Sequence, residues 1–259
     1  MFSLFSKLKH RRPHNAMVFI DYEYWYHSYK KQYHLIPNLS DFRKTLTNKN
    51  EFLISDIMVF ADFSNENLKN ELPNIRKATN TIIETGNTYF GIKKDLTDFV
   101  MLDYIYQCSI SRKDIDTYVI FTGDGHFQSV TRYLVQQRAL RVILYAVQGS
   151  LSKQLKAVAT ETTELPTSDE IQRQCRKLII DNLEYVSTRP SIIPTFLSTV
   201  NTVSERYNVP SEVVHATLSS MIDDGYIYQK IYRVEFNRNI KIVAANWEKL
   251  REDGLYPLD

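Results

Sequence analysis

The chain has 259 residues, which is enough for one large domain or two modest ones. Its 43% hydrophobic and 24% charged residues are typical of a soluble globular protein, and its formal net charge of +2 excludes a strongly polyanion-binding composition. The two cysteines, Cys108 and Cys175, are far apart in the sequence, which argues against a disulfide framework and against a structural zinc site.

Residues 1–14 are predicted to form a basic, flexible arm. Its cations are Lys7, Lys9, Arg11 and Arg12. Such an arm could contact phosphates, and the alternative is a solvated tail. The apolar opening, residues 1–5, is too short for a secretory core, and no apolar run reaches transmembrane length. We therefore expect a cytoplasmic protein with no membrane segment.

Strands and helices alternate along residues 15–165. Short apolar runs that end at an acid or a glycine predict buried strands, and apolar residues at helical spacing predict helices. In chain order we predict strand 16–20, helix 23–33, helix 40–48 capped by Ser40, strand 57–60, helix 74–80, a strand at 81–84 or 88–92, helix 95–106 capped by Asp95, strand 118–121, helix 127–137, strand 141–147 and helix 152–159. This alternation is typical of an α/β fold with a doubly wound, mostly parallel sheet.

The helix at 23–33 is rich in aromatic residues. Trp25, Tyr29 and Tyr33 recur at four-residue spacing and therefore share one face. Core packing is the more common role of such a face, and a platform for stacking bases is the alternative.

Residues 166–259 have a different pattern and are predicted to form a second, smaller domain. The polar segment 160–169 is typical of a linker, or of a late edge strand followed by a linker. Helices are predicted at 170–186, 195–207 and 211–225, with short strands at 226–228, 234–236 and 240–243. Three helices followed by a hairpin resemble a winged helix-turn-helix domain.

Acidic residues follow the predicted strands of the first domain. Asp21 ends the first strand, Asp62 follows the second and Asp124 follows the strand at 118–121, while Asp98 lies at the start of a helix. In a parallel sheet each crossover returns the chain to the opposite edge, so the strand ends share one edge. We expect Asp21, Asp98 and Asp124 to meet in one cleft. The alternative is that some of these acids only cap helices.

Crowded carboxylates repel one another and raise each other's pKa, so such a cleft needs protons, water or cations. Oxygen ligands suit Mg²⁺ or Mn²⁺, and these ions can activate water while a phosphodiester is cut. The predicted metal ligands are Asp21, Asp98, Asp124 and Asp103, and Glu23 and Asp62 are predicted to be accessory.

Three segments carry recognisable motifs: Val18-Phe-Ile-Asp-Tyr-Glu-Tyr-Trp25, Lys94-Asp-Leu-Thr-Asp-Phe-Val-Met-Leu-Asp103 and Phe121-Thr-Gly-Asp-Gly-His-Phe127. Together they resemble the motifs of NYN domains, which belong to the PIN-like nuclease superfamily. The resemblance implies an RNA-cleaving fold that uses Mg²⁺ or Mn²⁺, with Asp21, Asp98 and Asp124 at the positions of the catalytic acids. PIN-like domains often pair, so a homodimer is one expectation.

Two residues depart from the NYN motifs. Tyr24 stands where the first motif usually has Asn, and His126 stands where the third usually has a second acid. A tyrosine is expected to lack the two-sided hydrogen bonding of an amide. His126 is predicted to be accessory, as a neutral metal ligand, a phosphate contact, a general acid or a surface residue.

The C-terminal pattern resembles the winged-helix modules, including the LOTUS type, that are appended to some NYN proteins. Its predicted nucleic-acid contacts are Lys230, Arg233, Arg238 and Lys241. The acidic third helix favours RNA or a protein partner over sequence-specific DNA.

Three functions remain open from the sequence. The first is a metal-dependent ribonuclease that cleaves RNA. The second is an RNA-binding or regulatory protein in which Tyr24 and His126 have weakened or abolished catalysis. The third, more remote, is a phosphatase of the haloacid dehalogenase type, suggested by Asp21, Glu23 and Gly-Asp-Gly at 123–125.

Overall fold

The computed structural model describes residues 13–47, 52–89, 92–94, 96–234 and 238–256. They divide into two compact units, one of residues up to 29 and 36–165, the other of residues 30–35 and from 166 onward. The cations predicted for the N-terminal arm and the predicted cap Asp95 lie outside the described residues. None of the described helices is long and apolar enough to cross a membrane.

The helices and strands up to residue 165 have the following chain order. They are β1 (His14–Asp21), α1 (Tyr22–Tyr33), α2 (Leu39–Thr47), β2 (Phe52–Ala61), α3 (Glu66–Lys69), α4 (Leu72–Ile75), β3 (Ile82–Glu84), β4 (Asn87–Tyr89) and β5 (Ile92–Lys94). The remainder are α5 (Thr97–Ser111), β6 (Thr117–Phe121), α6 (Gln128–Arg132), β7 (Arg141–Val147), α7 (Lys153–Lys156) and β8 (Glu161–Leu165). A 3₁₀ turn, Gly125–Phe127, precedes α6, and a π-helical turn, Tyr133–Gln137, follows it.

Six of the described strands form one parallel sheet in the order β3-β2-β1-β6-β7-β8. One face of β1 and β6, including Phe19 and Tyr118, packs against α5 and α6. On α1, Trp25 stacks on Phe121 with 4.2 Å between ring centroids. Helices therefore cover both faces, as predicted for a doubly wound α/β fold. Trp25 and Tyr29 are buried, which confirms a core role for these two residues of the predicted aromatic face, whereas Tyr33 is only partly buried.

Several predicted boundaries are wrong in ways that tertiary contacts explain. Helix α2 begins at Leu39 because Asn38, not Ser40, accepts the N–H of Asp41. Helix α4 ends at Ile75 rather than at residue 80. The Thr79 hydroxyl donates to the carbonyl of Ile57 at 2.7 Å, which holds the following chain against β2.

Other predicted elements are shorter or arranged differently. Strand β3 of the sheet is Ile82–Glu84. Of the alternative segment 88–92, the described residues 88, 89 and 92 belong to the antiparallel pair β4-β5 instead. The helix predicted at 127–137 is interrupted by changes in helical type, and α7 spans only Lys153–Lys156. The segment 160–169 contains β8, which pairs with β7 in parallel.

The second unit contains three longer helices, a hairpin and a final short helix. These are α8 (Ser168–Ser187), α9 (Phe196–Tyr207), α10 (Ser211–Asp223), β9 (Ile227–Val234), β10 (Arg238–Ala245) and α11 (Trp247–Glu252). A capping box between Thr167 and Glu170 fixes the start of α8. The helices pack on Ile227 and Val243 of the hairpin to form a separate core. Apart from residue 226, the strands predicted at 226–228 and 240–243 are parts of two longer strands of eight residues each, and residues 235 and 236 of the strand predicted at 234–236 lie outside the described part of the chain.

Candidate metal centre

The sheet brings three acidic segments to one edge. Asp21 ends β1, Asp62 follows β2, and the turn that contains Asp124 follows β6. β1 lies between β2 and β6, and Asp21 pairs with Phe60 of β2. The strand order reverses between β1 and β6, and in open α/β sheets such a reversal leaves a crevice at the carboxyl ends. Asp124 therefore lies where this kind of sheet binds ligands.

Asp98, Asp124 and His126 form a three-residue cluster. One ligand atom from each lies within 4.8 Å of the others. The Nδ1 atom of His126 is 3.3 Å from Oδ2 of Asp98 and 3.3 Å from Oδ1 of Asp124. Asp98 comes from the first turn of α5, while Asp124 caps the 3₁₀ turn by accepting the N–H of His126 at 2.9 Å. Helix α5 and the turn after β6 are distant in the sequence, but together they place two carboxylate oxygens and one ring nitrogen close enough to bind the same ion.

The two carboxylates control the charge of His126. The pKa of His126 is raised above its usual value, first by the hydrogen bond to Asp98 and then by the charge of Asp124. A site that draws a proton onto an imidazole attracts other cations by the same electrostatics. Two carboxylate oxygens and one ring nitrogen are also a donor set that divalent metals accept. The side chains therefore fit a divalent ion, with His126 as a ligand in its neutral form.

Asp21 lies at the same sheet edge but is not a member of this cluster. Its side chain is 6% exposed, and Oδ1 accepts the N–H of Tyr24 at 2.9 Å. Asp21 therefore stabilises the first turn of α1, the capping role that the sequence left open for these acids.

Glu23 and Asp62 lie together at the ends of β1 and β2. Oε2 of Glu23 accepts the N–H of Asp62 at 3.2 Å, and Oδ1 of Asp62 accepts the N–H of Ser64 at 2.9 Å. Both carboxylates therefore organise the loop after β2. Asp103 is exposed and accepts from Nε2 of Gln107 at 2.7 Å, so it is not part of the cluster of Asp98, Asp124 and His126.

Tyr24 closes a directed ring of hydrogen bonds beside the cluster. The N–H of Val147 donates to the Tyr24 hydroxyl at 2.9 Å, and the Ser150 hydroxyl donates to the carbonyl of Val147 at 2.6 Å. With the Ser150 proton committed, the Tyr24 hydroxyl donates to Oγ of Ser150. The expectation that a tyrosine lacks two-sided hydrogen bonding is therefore wrong here, because its hydroxyl both accepts and donates. Burial is the main reason that the pKa of Tyr24 is raised.

Gly123 is required by this ring. A Cβ atom at this position would lie 2.5 Å from the Tyr24 hydroxyl and 2.7 Å from the carbonyl oxygen of Ser150. The carbonyl of Gly123 also accepts the N–H of Ser152 at 3.1 Å. The turn that carries Asp124 is thus fixed against the segment after β7. Ser150 was not a sequence candidate, because 126 positions separate it from Tyr24 and no local motif links them.

The cations predicted for the hairpin do not form a single patch. Directly paired residues of an antiparallel hairpin share a face, so Lys230, opposite Ile242, and Lys241, opposite Ile231, project from opposite faces. Arg233 shares the face of Lys241 by the same alternation. The side chain of Arg238 lies outside the described part of the chain.

Comparison with protein families places the first part of the chain. The model of the NYN domain matches residues 15–172, more than half of the chain. The chain belongs to the NYN domain family. NYN domains have the PIN-like fold and form a nuclease-like family. PIN-like nucleases usually use divalent metals. This assignment leaves the haloacid dehalogenase alternative without support.

A solved structure shares the fold of this NYN domain. It is the crystal structure of a protein of unknown function from Vibrio parahaemolyticus RIMD 2210633, with a TM-score of 0.52 and 16% sequence identity. The match covers 60% of the present chain and 94% of the Vibrio chain. At this identity the similarity concerns the fold alone. No curated protein matches the chain.

Proposed function

We propose that this NYN protein is a ribonuclease that depends on a divalent metal, Mg²⁺ or Mn²⁺. The observation that carries the proposal is the meeting of Asp98, Asp124 and His126 within 4.8 Å at the carboxyl edge of the sheet. A cluster of this composition in a nuclease-like domain is suited to holding a cation against a phosphodiester.

The side chains divide the work of the proposed site. Asp98 and Asp124 would hold the metal, which when bound supplies charge neutralisation and a more acidic water. His126 is 76% exposed. In its neutral form it would be a third ligand of the metal; where only Asp98 and Asp124 hold the metal, a protonated His126 would instead donate a hydrogen bond to a phosphate oxygen. Asp21 is proposed to support the site by adding negative charge to this edge and by fixing the start of α1.

The second candidate is an NYN protein that binds RNA without cutting it. It is favoured by His126, which brings no negative charge to a position where the motif usually has an acid. A weaker cation site would then leave binding intact and cleavage reduced. To distinguish the two candidates, RNA cleavage and RNA binding must be measured on the same protein preparation.

The decisive test is metal-dependent cleavage of a labelled single-stranded RNA by the purified chain. We expect cleavage with Mn²⁺ or Mg²⁺ that stops with a chelator, and a loss of roughly a hundredfold or more in Asp124→Asn, because this change removes a metal-binding charge. Asp103→Asn is the matched control, since Asp103 lies outside the cluster and should leave the rate unchanged. Cleavage that survives Asp124→Asn would contradict the proposal, whereas RNA binding without cleavage would favour the second candidate.

For the second unit we propose a winged-helix-like module that binds nucleic acid or a protein partner, in a cytoplasmic protein whose domain boundary lies between residues 165 and 166 of the sequence. Helices α8 to α10 precede the hairpin β9-β10. The N–H of Val243 donates to the carbonyl of Pro194 at 2.8 Å, which joins the segment before α9 to the edge of β10. In a winged-helix domain, a short third strand before the second helix would form a backbone hydrogen bond of this kind with the hairpin.

A further inference from the structure

The second unit contains a groove of about 420 Å³ between the end of α8, the segment before α9 and the hairpin. Its apolar floor includes Leu183, Pro194 and Ile242, and its rim includes Tyr228, Tyr232 and Trp247. Tyr228 is 47% exposed and Tyr232 is 44% exposed. Aromatic side chains with this much exposed area present ring surfaces to whatever enters the groove.

The hairpin places its aromatic and basic groups in alternation along one face. Tyr228, Lys230 and Tyr232 occupy every second position of β9 and therefore share a face. Nζ of Lys230 is 5.9 Å from the centre of the Tyr228 ring. Tyr228 and Tyr232 are four residues apart, so their Cα atoms lie roughly 13 Å apart along the strand, and Lys230 lies between them in the sequence. This face therefore offers two rings on which bases of one strand can stack and, between them, a cation that can pair with a phosphate of the same strand.

The opposite wall supplies a second cation. The guanidinium of Arg189 lies 3.6 Å from the centre of the Tyr185 ring, and its Nη1 donates to the carbonyl of Tyr185 at 2.8 Å. Arg189 is therefore held at the rim while still presenting further N–H donors. The groove is lined by Arg189 and Lys230 but by no acidic residue among those described. Its charge is therefore complementary to a polyanion.

We propose that this groove binds single-stranded RNA, with bases stacked on Tyr228 and Tyr232 and phosphates paired with Lys230 and Arg189. Stacking on aromatic rings combined with cations along the backbone is the general mode of recognising single strands. This proposal deepens the binding role proposed above for the second unit and does not depend on cleavage by the first. It also singles out the Lys230 face of the hairpin over the face that carries Arg233 and Lys241.

The test measures RNA affinity separately from chemistry. The full chain carrying Asp124→Asn is titrated, with a chelator present, into a short fluorescein-labelled oligo-uridylate while anisotropy is followed. Tyr232→Ala in this background is expected to weaken binding about tenfold, the scale of one lost base stack. Lys230→Ala is expected to weaken binding several-fold and to lower its dependence on salt.

Matched controls lie on the other face of the same strands. Lys241→Ala removes the same charge from the hairpin and is expected to change affinity by less than twofold, and Ile231→Ala removes an exposed apolar side chain without affecting binding. Thermal melts monitored by circular dichroism verify that each variant is folded. If Lys230→Ala and Lys241→Ala lowered RNA affinity equally, the effect would come from the overall charge of the hairpin and not from the groove, and the proposal would be overturned. Unchanged affinity in Tyr232→Ala would also overturn it and leave a protein segment as the occupant of the groove.

Discussion

At the scale of single residues, Tyr24 stands where the NYN motif usually has Asn, and its side chain still forms hydrogen bonds to neighbouring segments. Its hydroxyl joins α1 to the buried end of β7, next to the turn that carries Asp124. The hydroxyl accepts one hydrogen bond and donates another, so neither Val147 nor Ser150 loses a partner. A residue that departs from a family motif can therefore still hold the local structure together.

Tyr24→Phe should lower the free energy of unfolding by about 1–3 kcal/mol, because the buried N–H of Val147 loses its acceptor. Tyr22→Phe is the matched control. The Tyr22 hydroxyl is buried with no hydrogen-bond partner among the described residues, so its removal should be neutral or slightly stabilising. Urea unfolding of both variants measures the difference. Equal destabilisation by the two substitutions would show that ring packing, rather than the hydrogen-bonded ring, accounts for the effect.

At the scale of elements, the candidate site depends on the turn between β6 and α6. Gly123 lets this turn approach Tyr24 and Ser150, and Asp124 then caps the 3₁₀ turn that orients His126. The backbone thus fixes two of the three cluster residues before any cation binds.

Gly123→Ala should destabilise the protein by about 1–3 kcal/mol or more, because its Cβ would meet the Tyr24 hydroxyl and a backbone carbonyl at less than 3 Å. Gly125→Ala offers a comparison two positions away, where the nearest contact is the flexible Ser152 hydroxyl at 3.2 Å. Its cost should be clearly smaller. Thermal denaturation of the two variants gives the ranking, and a reversed order would mean that the Tyr24 contact is not what restricts this turn.

The sequence predicted the sheet better than it predicted the details of the site. Buried strands such as β1 and β6 are apolar runs with sharp ends, and the edge they share follows from parallel topology alone. Helix ends depend on contacts that are remote in sequence, as Thr79 and Ile57 show for α4. The hydrogen bond between Tyr24 and Ser150 joins residues 126 positions apart, and no local pattern predicts it. The faces on which the hairpin cations lie depend on the pairing register of β9 and β10, which no local pattern specifies either.

At the scale of the whole molecule, the chain combines two units with separate buried cores. Phe19 and Tyr118 belong to a core of the first unit, while Ile179, Leu218 and Met221 belong to the core of the second. The candidate metal site lies entirely within the first unit, and the proposed RNA groove lies entirely within the second. Ligands of one unit should therefore stabilise that unit selectively.

The two tryptophans allow this selectivity to be measured, because Trp25 lies in the first unit and Trp247 in the second. In Trp247→Phe the remaining fluorescence reports the first unit, and Mn²⁺ at a hundred times its Kd should stabilise it by ~2.7 kcal/mol, a rise in Tm of roughly 5–10 °C. In Trp25→Phe the signal from Trp247 should not shift with Mn²⁺. Adding Asp124→Asn to the first variant should abolish its shift, since a cluster ligand is lost. A shift that persists without Asp124, or that appears equally at both reporters, would place the cation elsewhere in the chain.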